Sequence, residues 1–146
     1  MLNHFLQGHA PMTEREAQMI SPLRLAYIGD AVYDLYVRTE LVFQGGKAHA
    51  MHRDAIKSVN AAAQAHALSW VQPLLTETEA DVVRRGRNAH PRHAVPKRAD
   101  PADYSHATGL EALLGFLYLT GRTERLLELY TVICENQEVA TCPKAP

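Results

Sequence analysis

An all-α fold is predicted by three observations. Segments rich in Ala, Leu and Glu run through the chain. No stretch alternates apolar and polar residues as a half-buried strand requires, and residues that start and stop helices punctuate the segments. The 146 residues and 47% hydrophobic content fit a single domain over 1–146, with residues 1–12 and 141–146 as flexible ends.

Each element has a local cause. Thr13 and Glu16 have capping-box spacing and open a short first helix. Ser21 followed by Pro22 opens the second, because proline is tolerated at the first helical position. That helix runs to about Phe43 and stops at Gly45-Gly46. A third is expected from about Ala48 to Trp70, with Ala61, Ala62, Ala63 and Ala65 as a close-packed face, before Pro73 breaks it. Thr76 and Glu79 repeat the capping-box spacing and open a helix to about Arg87. Residues Asn88 to Ala102, with Pro91, Pro96 and Pro101, form a long loop. Helices from about Tyr104 to Leu119 and from about Thr123 to Glu135 complete the chain.

No apolar run approaches the length that spans a bilayer, and Met1 to Ala10 lacks the charged start and apolar stretch of a secretory signal. Two cysteines, Cys134 and Cys142, then read as reduced thiols, and the expected location is cytoplasmic. The net charge of −1 argues against a nucleic-acid binder, but its distribution argues for one. Arg84, Arg85, Arg87, Arg92, Lys97 and Arg98 fall within Val82 to Ala99, which holds no Asp or Glu. Six of the fifteen basic residues thus form one patch able to attract phosphates. Asn88 and Lys57 are further candidates for phosphate contact. A solvated loop is the bland alternative.

Two apolar helical segments each carry a carboxylate where a core residue is expected. One reads Leu25-Ala26-Tyr27-Ile28-Gly29-Asp30-Ala31-Val32-Tyr33-Asp34, the other Thr108-Gly109-Leu110-Glu111-Ala112-Leu113-Leu114-Gly115. Burying a charge is costly unless it is paired or bound to metal, and small neighbours let helices approach closely. Asp30 and Glu111 are therefore candidates for one shared hard-cation site. The bland alternative is an Asp30 paired with arginine and a solvated Glu111. Asp34 lies one turn beyond Asp30 on the same face.

Tyr27-Ile28-Gly29-Asp30-Ala31-Val32 resembles the catalytic helix of the ribonuclease III family, and Glu111-Ala112-Leu113-Leu114-Gly115 with Tyr118-Leu119 resembles its second catalytic helix. Arg85-Gly86-Arg87-Asn88-Ala89 and Val95-Pro96-Lys97 resemble the Mini-ribonuclease III branch, a nuclease domain without a double-stranded RNA-binding domain. The likeness runs from about Leu23 to about Leu127. It implies a homodimeric helical bundle of ribonuclease III endonuclease type, with Tyr27 at the dimer interface. It also implies magnesium-dependent cleavage of double-stranded RNA to 5′-phosphate and 3′-hydroxyl ends. The implied substrate is the precursor of the large-subunit (23S-type) ribosomal RNA, with a ribosomal protein as a conceivable partner. Asp30 and Glu111 take the catalytic and metal-holding positions, with Asp34 and Thr108 behind them. Two of the family's four acidic positions are Ala26 and Thr108 here, which sustains a second reading: a non-catalytic RNA-binding module. The paired histidines, His49 with His52 and His90 with His93, lack the companions of a zinc site, so none is expected. Trp70 reads as core.

Overall fold

A computed structural model describes residues 6–89 and 100–137, apart from the side chains of Lys57 and Ser58. The described residues form helices and no strand. These are α1 (Glu14–Gln18), α2 (Pro22–Gln44), α3 (Ala48–Val59), α4 (Ala61–Val71), α5 (Glu77–Asn88), α6 (Pro101–Leu119) and α7 (Thr123–Asn136), with a 3-10 turn, Gln72–Leu74, after α4.

The start signals act as expected. The Thr13 hydroxyl accepts the Glu16 N–H at 3.1 Å. At α5 the capping box is complete: Thr76 Oγ1 accepts the Glu79 N–H at 3.2 Å, and Glu79 Oε1 accepts the Thr76 N–H at 2.9 Å. α2 ends at Gly45, whose φ of 81° is a left-handed conformation that favours glycine.

Two boundaries differ from the sequence expectation. The single helix expected over 48–70 is two helices, broken at Asn60. There the backbone turns extended (φ −69°, ψ 163°), and the side chain accepts the Ala63 N–H at 2.8 Å. Asn60 is an N-cap, and its short amide competes with the helical backbone for hydrogen bonds. α6 also starts earlier than expected, at Pro101, because Asp100 caps it by accepting the Ala102 N–H at 2.8 Å.

α6 is the axis of the fold. Residues Ala107 to Leu110 and Ala112 to Leu117 are all buried. A helix apolar on every side must be enclosed, and α2, α4, α5 and α7 enclose this one. Leu25, Tyr33, Leu68, Leu126, Leu129 and Ile133 supply the surrounding core. Within the N-terminal segment, expected to be flexible over residues 1–12, two points contact the bundle. Leu6 is buried, and the Met12 N–H donates to the Leu119 carbonyl at 2.8 Å.

Two contacts lock α6 in register. Glycines let α2 cross it backbone to backbone: a Cβ added to Gly29 would lie 1.7 Å from the Glu111 carbonyl oxygen, and one on Gly115 would lie 2.0 Å from the Leu25 carbonyl oxygen. On another flank, a Cβ on Gly86 of α5 would lie 2.9 Å from the Gly109 Cα. Gly29→Ala is therefore expected to push α2 off α6 and to cost about 3 kcal/mol. An unchanged urea midpoint for this variant would show that the helices do not touch there.

Candidate active site

The α2–α6 crossing determines where the two carboxylates sit. Gly29 rests against the Glu111 backbone, so the next residue, Asp30, emerges at the edge of the contact beside the Glu111 side chain. The sequence placed both carboxylates at core positions. Glu111 is half-buried, but Asp30 is exposed, because the buried position belongs to its neighbour Gly29.

The two carboxyl groups share a hydrogen bond. Burial pushes the Glu111 carboxyl up to about 8, and the charge of Asp30 and its hydrogen bond to Glu111 reinforce the shift. At neutral pH Glu111 therefore keeps its proton and donates it to the Asp30 carboxylate. Like charges this close cannot both be bare unless a cation lies between them. Among the described residues no three His, Cys, Asp or Glu gather into a metal cage.

The neighbouring candidates are otherwise engaged. Ala26, one turn before Asp30, is buried. Thr108 is buried, and its hydroxyl donates to the Tyr104 carbonyl at 3.0 Å. Asp34 accepts from Arg38 Nε at 2.8 Å across one helical turn. Tyr27 is 84% exposed on the outer face of α2. His49 and His52 are exposed on α3, while Trp70 is half-buried with its ring stacked on His66.

The basic patch divides. Arg84, Arg87 and Asn88 are exposed on one face at the end of α5, three and four residues apart. Arg84 is ion-paired with Asp81. Arg85 turns inward, donating to the Gln18 carbonyl at 2.9 Å and tying α5 to the end of α1. The sequence gave no sign of this bond, since its partner is a backbone oxygen far along the chain. Ser105 was also not singled out. Its hydroxyl donates to the Arg87 carbonyl at 2.9 Å and joins the end of α5 to α6. Arg92, Lys97 and Arg98, with His90 and His93, lie outside the described residues, as does the side chain of Lys57. No described helix is long and apolar enough to cross a membrane.

Two carboxyl groups thus meet across a glycine crossing in an all-α bundle. The Ribonuclease III domain model matches residues 23–122, and the chain belongs to that family. Within it the chain groups with proteins named Mini-ribonuclease 3. That of Symbiobacterium thermophilum is 52% identical over 111 residues, covering 75% of this chain and 85% of the relative. That of a Thermoanaerobacter species is 44% identical over 136 residues, covering 90% and 95%. A crystal structure of protein FN1578 from Fusobacterium nucleatum has the same fold, with a TM-score of 0.74 and 25% identity over 80% of this chain and 93% of that one. These relationships make the chain an endoribonuclease of ribonuclease III type.

The linkage between Glu111 and folding has a definite sign. Its folded pKa, about 8, lies above the unfolded value near 4.5. Between these pH values the native state holds a proton that the unfolded state releases, so stability falls as pH rises through the interval. Without divalent metal, Glu111→Gln should melt higher than the native protein by about 5 °C at pH 9. The gap should close near pH 4, where both states are protonated. Identical melting curves at both pH values would refute the shared proton.

Proposed function

We propose that this chain is a magnesium-dependent endoribonuclease for double-stranded RNA, with Asp30 and Glu111 as its metal-holding residues. The observation behind this is the carboxyl pair itself: two hard oxygen donors on separate helices, held close enough to share a proton. The donor set suits magnesium, which takes one or two carboxylates and fills its other positions with water and substrate phosphate. Bound there, the ion would neutralise charge at the phosphodiester and acidify water for attack, leaving 5′-phosphate and 3′-hydroxyl ends.

The chain's own residues prepare that site. Glu111 must give up its proton for the cation, which explains why a carboxyl with a pKa near 8 sits beside an exposed acid. The glycine crossing holds the two side chains so that neither must be ordered on binding. Thr108, with its proton committed to Tyr104, offers only lone pairs to the site. Arg84, Arg87 and Asn88 face solvent at the end of α5. In this reading they bind RNA phosphates and 2′-hydroxyls together with Lys57, Arg92, Lys97 and Arg98, and Arg85 holds α5 in place. The assigned substrate is the precursor of large-subunit ribosomal RNA in the cytoplasm, with a ribosomal protein as an assisting partner. That assignment rests on likeness to the Mini-ribonuclease 3 branch.

The active form in this reading is a two-fold dimer, which sets one site against each strand. Exposed apolar residues on and just before α2 support it. Met19 and Phe43, at 82% and 85% exposure, are equidistant in sequence from Ala31. So are Leu23 and Thr39, and Tyr27 and Leu35. Two copies of α2 packed antiparallel about Ala31 would match each residue with its counterpart. Tyr27 would then meet the partner's surface at Leu35, beside an apolar cavity of about 70 Å³ lined by Val32, Tyr36, Tyr118 and Leu126.

Two tests address this reading. Asp30→Asn should reduce cutting of long double-stranded RNA in magnesium by about a hundredfold or more, with the melting temperature preserved. Cleavage that persists in excess chelator would overturn the metal assignment. Tyr27→Glu should convert a dimer to monomer in sedimentation at micromolar concentration, and a native monomer would remove the dimer from the proposal.

A further inference from the structure

The three arginines near the end of α5 differ in what their guanidinium groups touch. Arg84 is ion-paired with Asp81, and Arg85 donates to the Gln18 carbonyl. Arg87 is exposed, and among the described residues its guanidinium has no polar partner. It is the α5 arginine with its donors open to a ligand.

The base of that side chain, by contrast, is held at two points on α6. A helix leaves its last carbonyls without an internal partner. The Arg87 carbonyl is one of these, and the Ser105 hydroxyl donates to it at 2.9 Å. The stem then lies over Gly109, where an added Cβ would come 2.8 Å from Arg87 Cγ. Ser105 and Gly109 are four residues apart and share one flank of α6. A free arginine loses much rotamer freedom when it grips a ligand. With its backbone pinned and its stem seated, Arg87 has only its outer bonds left to order. Ser105 and Gly109 also precede Glu111 on the same helix, by about 9 and 3 Å along the axis. The open guanidinium and the buried acid are therefore both referred to one rigid element.

We propose that Ser105 is a positioning residue: it holds Arg87 on α6 as a phosphate clamp in register with Glu111. The proposal rests on the nuclease reading above for its ligand, a phosphate of the RNA near the cut. A guanidinium can grip two phosphate oxygens at once, so its orientation matters as well as its charge. A displacement of about 1 Å in a group that places the substrate can cost about a hundredfold in rate. Ser105 spends its proton on the Arg87 carbonyl, so it acts through Arg87 and not on the RNA.

The test is a double-mutant cycle between Ser105→Ala and Arg87→Ala. Binding of a short fluorescent RNA duplex is read by anisotropy in excess chelator, at a temperature where circular dichroism finds every variant folded. Ser105→Ala should weaken binding about fivefold when Arg87 is present, and by less than about twofold when Arg87 is already alanine. Ser105→Thr, which keeps a hydroxyl, should bind within about twofold of the native protein. Equal losses in the two backgrounds would overturn the proposal, because Ser105 would then act without Arg87. Native affinity in Ser105→Ala would overturn it too, even with a lowered melting temperature, because the bond would then serve the fold alone. Incubating the native protein and the same duplex with magnesium tests the nuclease reading separately. An uncut duplex there would count against that reading, while the binding cycle still decides whether Ser105 works through Arg87.

Discussion

The close crossing of α2 over α6 is the constraint on which the rest depends. Gly29 and Gly115 have no side chain, so the two backbones meet directly. With ordinary side chains at the contact, helix axes pack 8–10 Å apart, and carboxylates on them would be held further from each other. α2, α4, α5 and α7 pack around α6, and its half-buried acid meets Asp30 at the crossing. Close packing and the candidate chemistry thus come from one contact.

Two glutamates in this bundle show how environment separates structure from function. Glu79 is fully buried at the start of α5, yet its carboxyl stays below the usual range. Burial pushes it up, but Arg125 and Thr76 outweigh that effect. Arg125 donates to its two oxygens at 3.0 and 2.8 Å, and the Thr76 N–H adds a third bond. This ion pair joins α5 to α7 with every partner satisfied. Glu111 is less buried but has another acid as its partner, and its carboxyl rises to about 8. A site of this kind destabilises the fold that carries it, and such strain persists where binding relieves it.

Much of the helical order was legible in the sequence because it rests on local chemistry. Thr13, Ser21 and Thr76 cap their helices through residues three positions away, which spacing reveals. Asn60 was missed because an alanine-rich run on its far side masked a cap. The paired carboxylates were legible as a pair only through small neighbours and family likeness. Their order of burial was not, because Gly29 rather than Asp30 holds the inward position, and helix rotation is decided by packing. The roles of Arg85 and Ser105 were not legible at all. Each bonds a backbone carbonyl distant in sequence, and a carbonyl leaves no mark on residue identity.

The losses at Ala26 and Thr108 bear on how the site works. Ala26 belongs to the core, and Thr108 spends its proton on its own helix. With two carboxylates, an ion held here keeps most of its positions for water and for RNA phosphates. Metal and RNA then share coordination, so each raises the affinity of the other by the same factor. The proton on Glu111 opposes both, because it must leave before the cation binds. A family member with more acids would hold its metal in advance of the substrate. On the proposed reading, the duplex itself would complete the site, and activation of the carboxylate pair would follow the arrival of RNA.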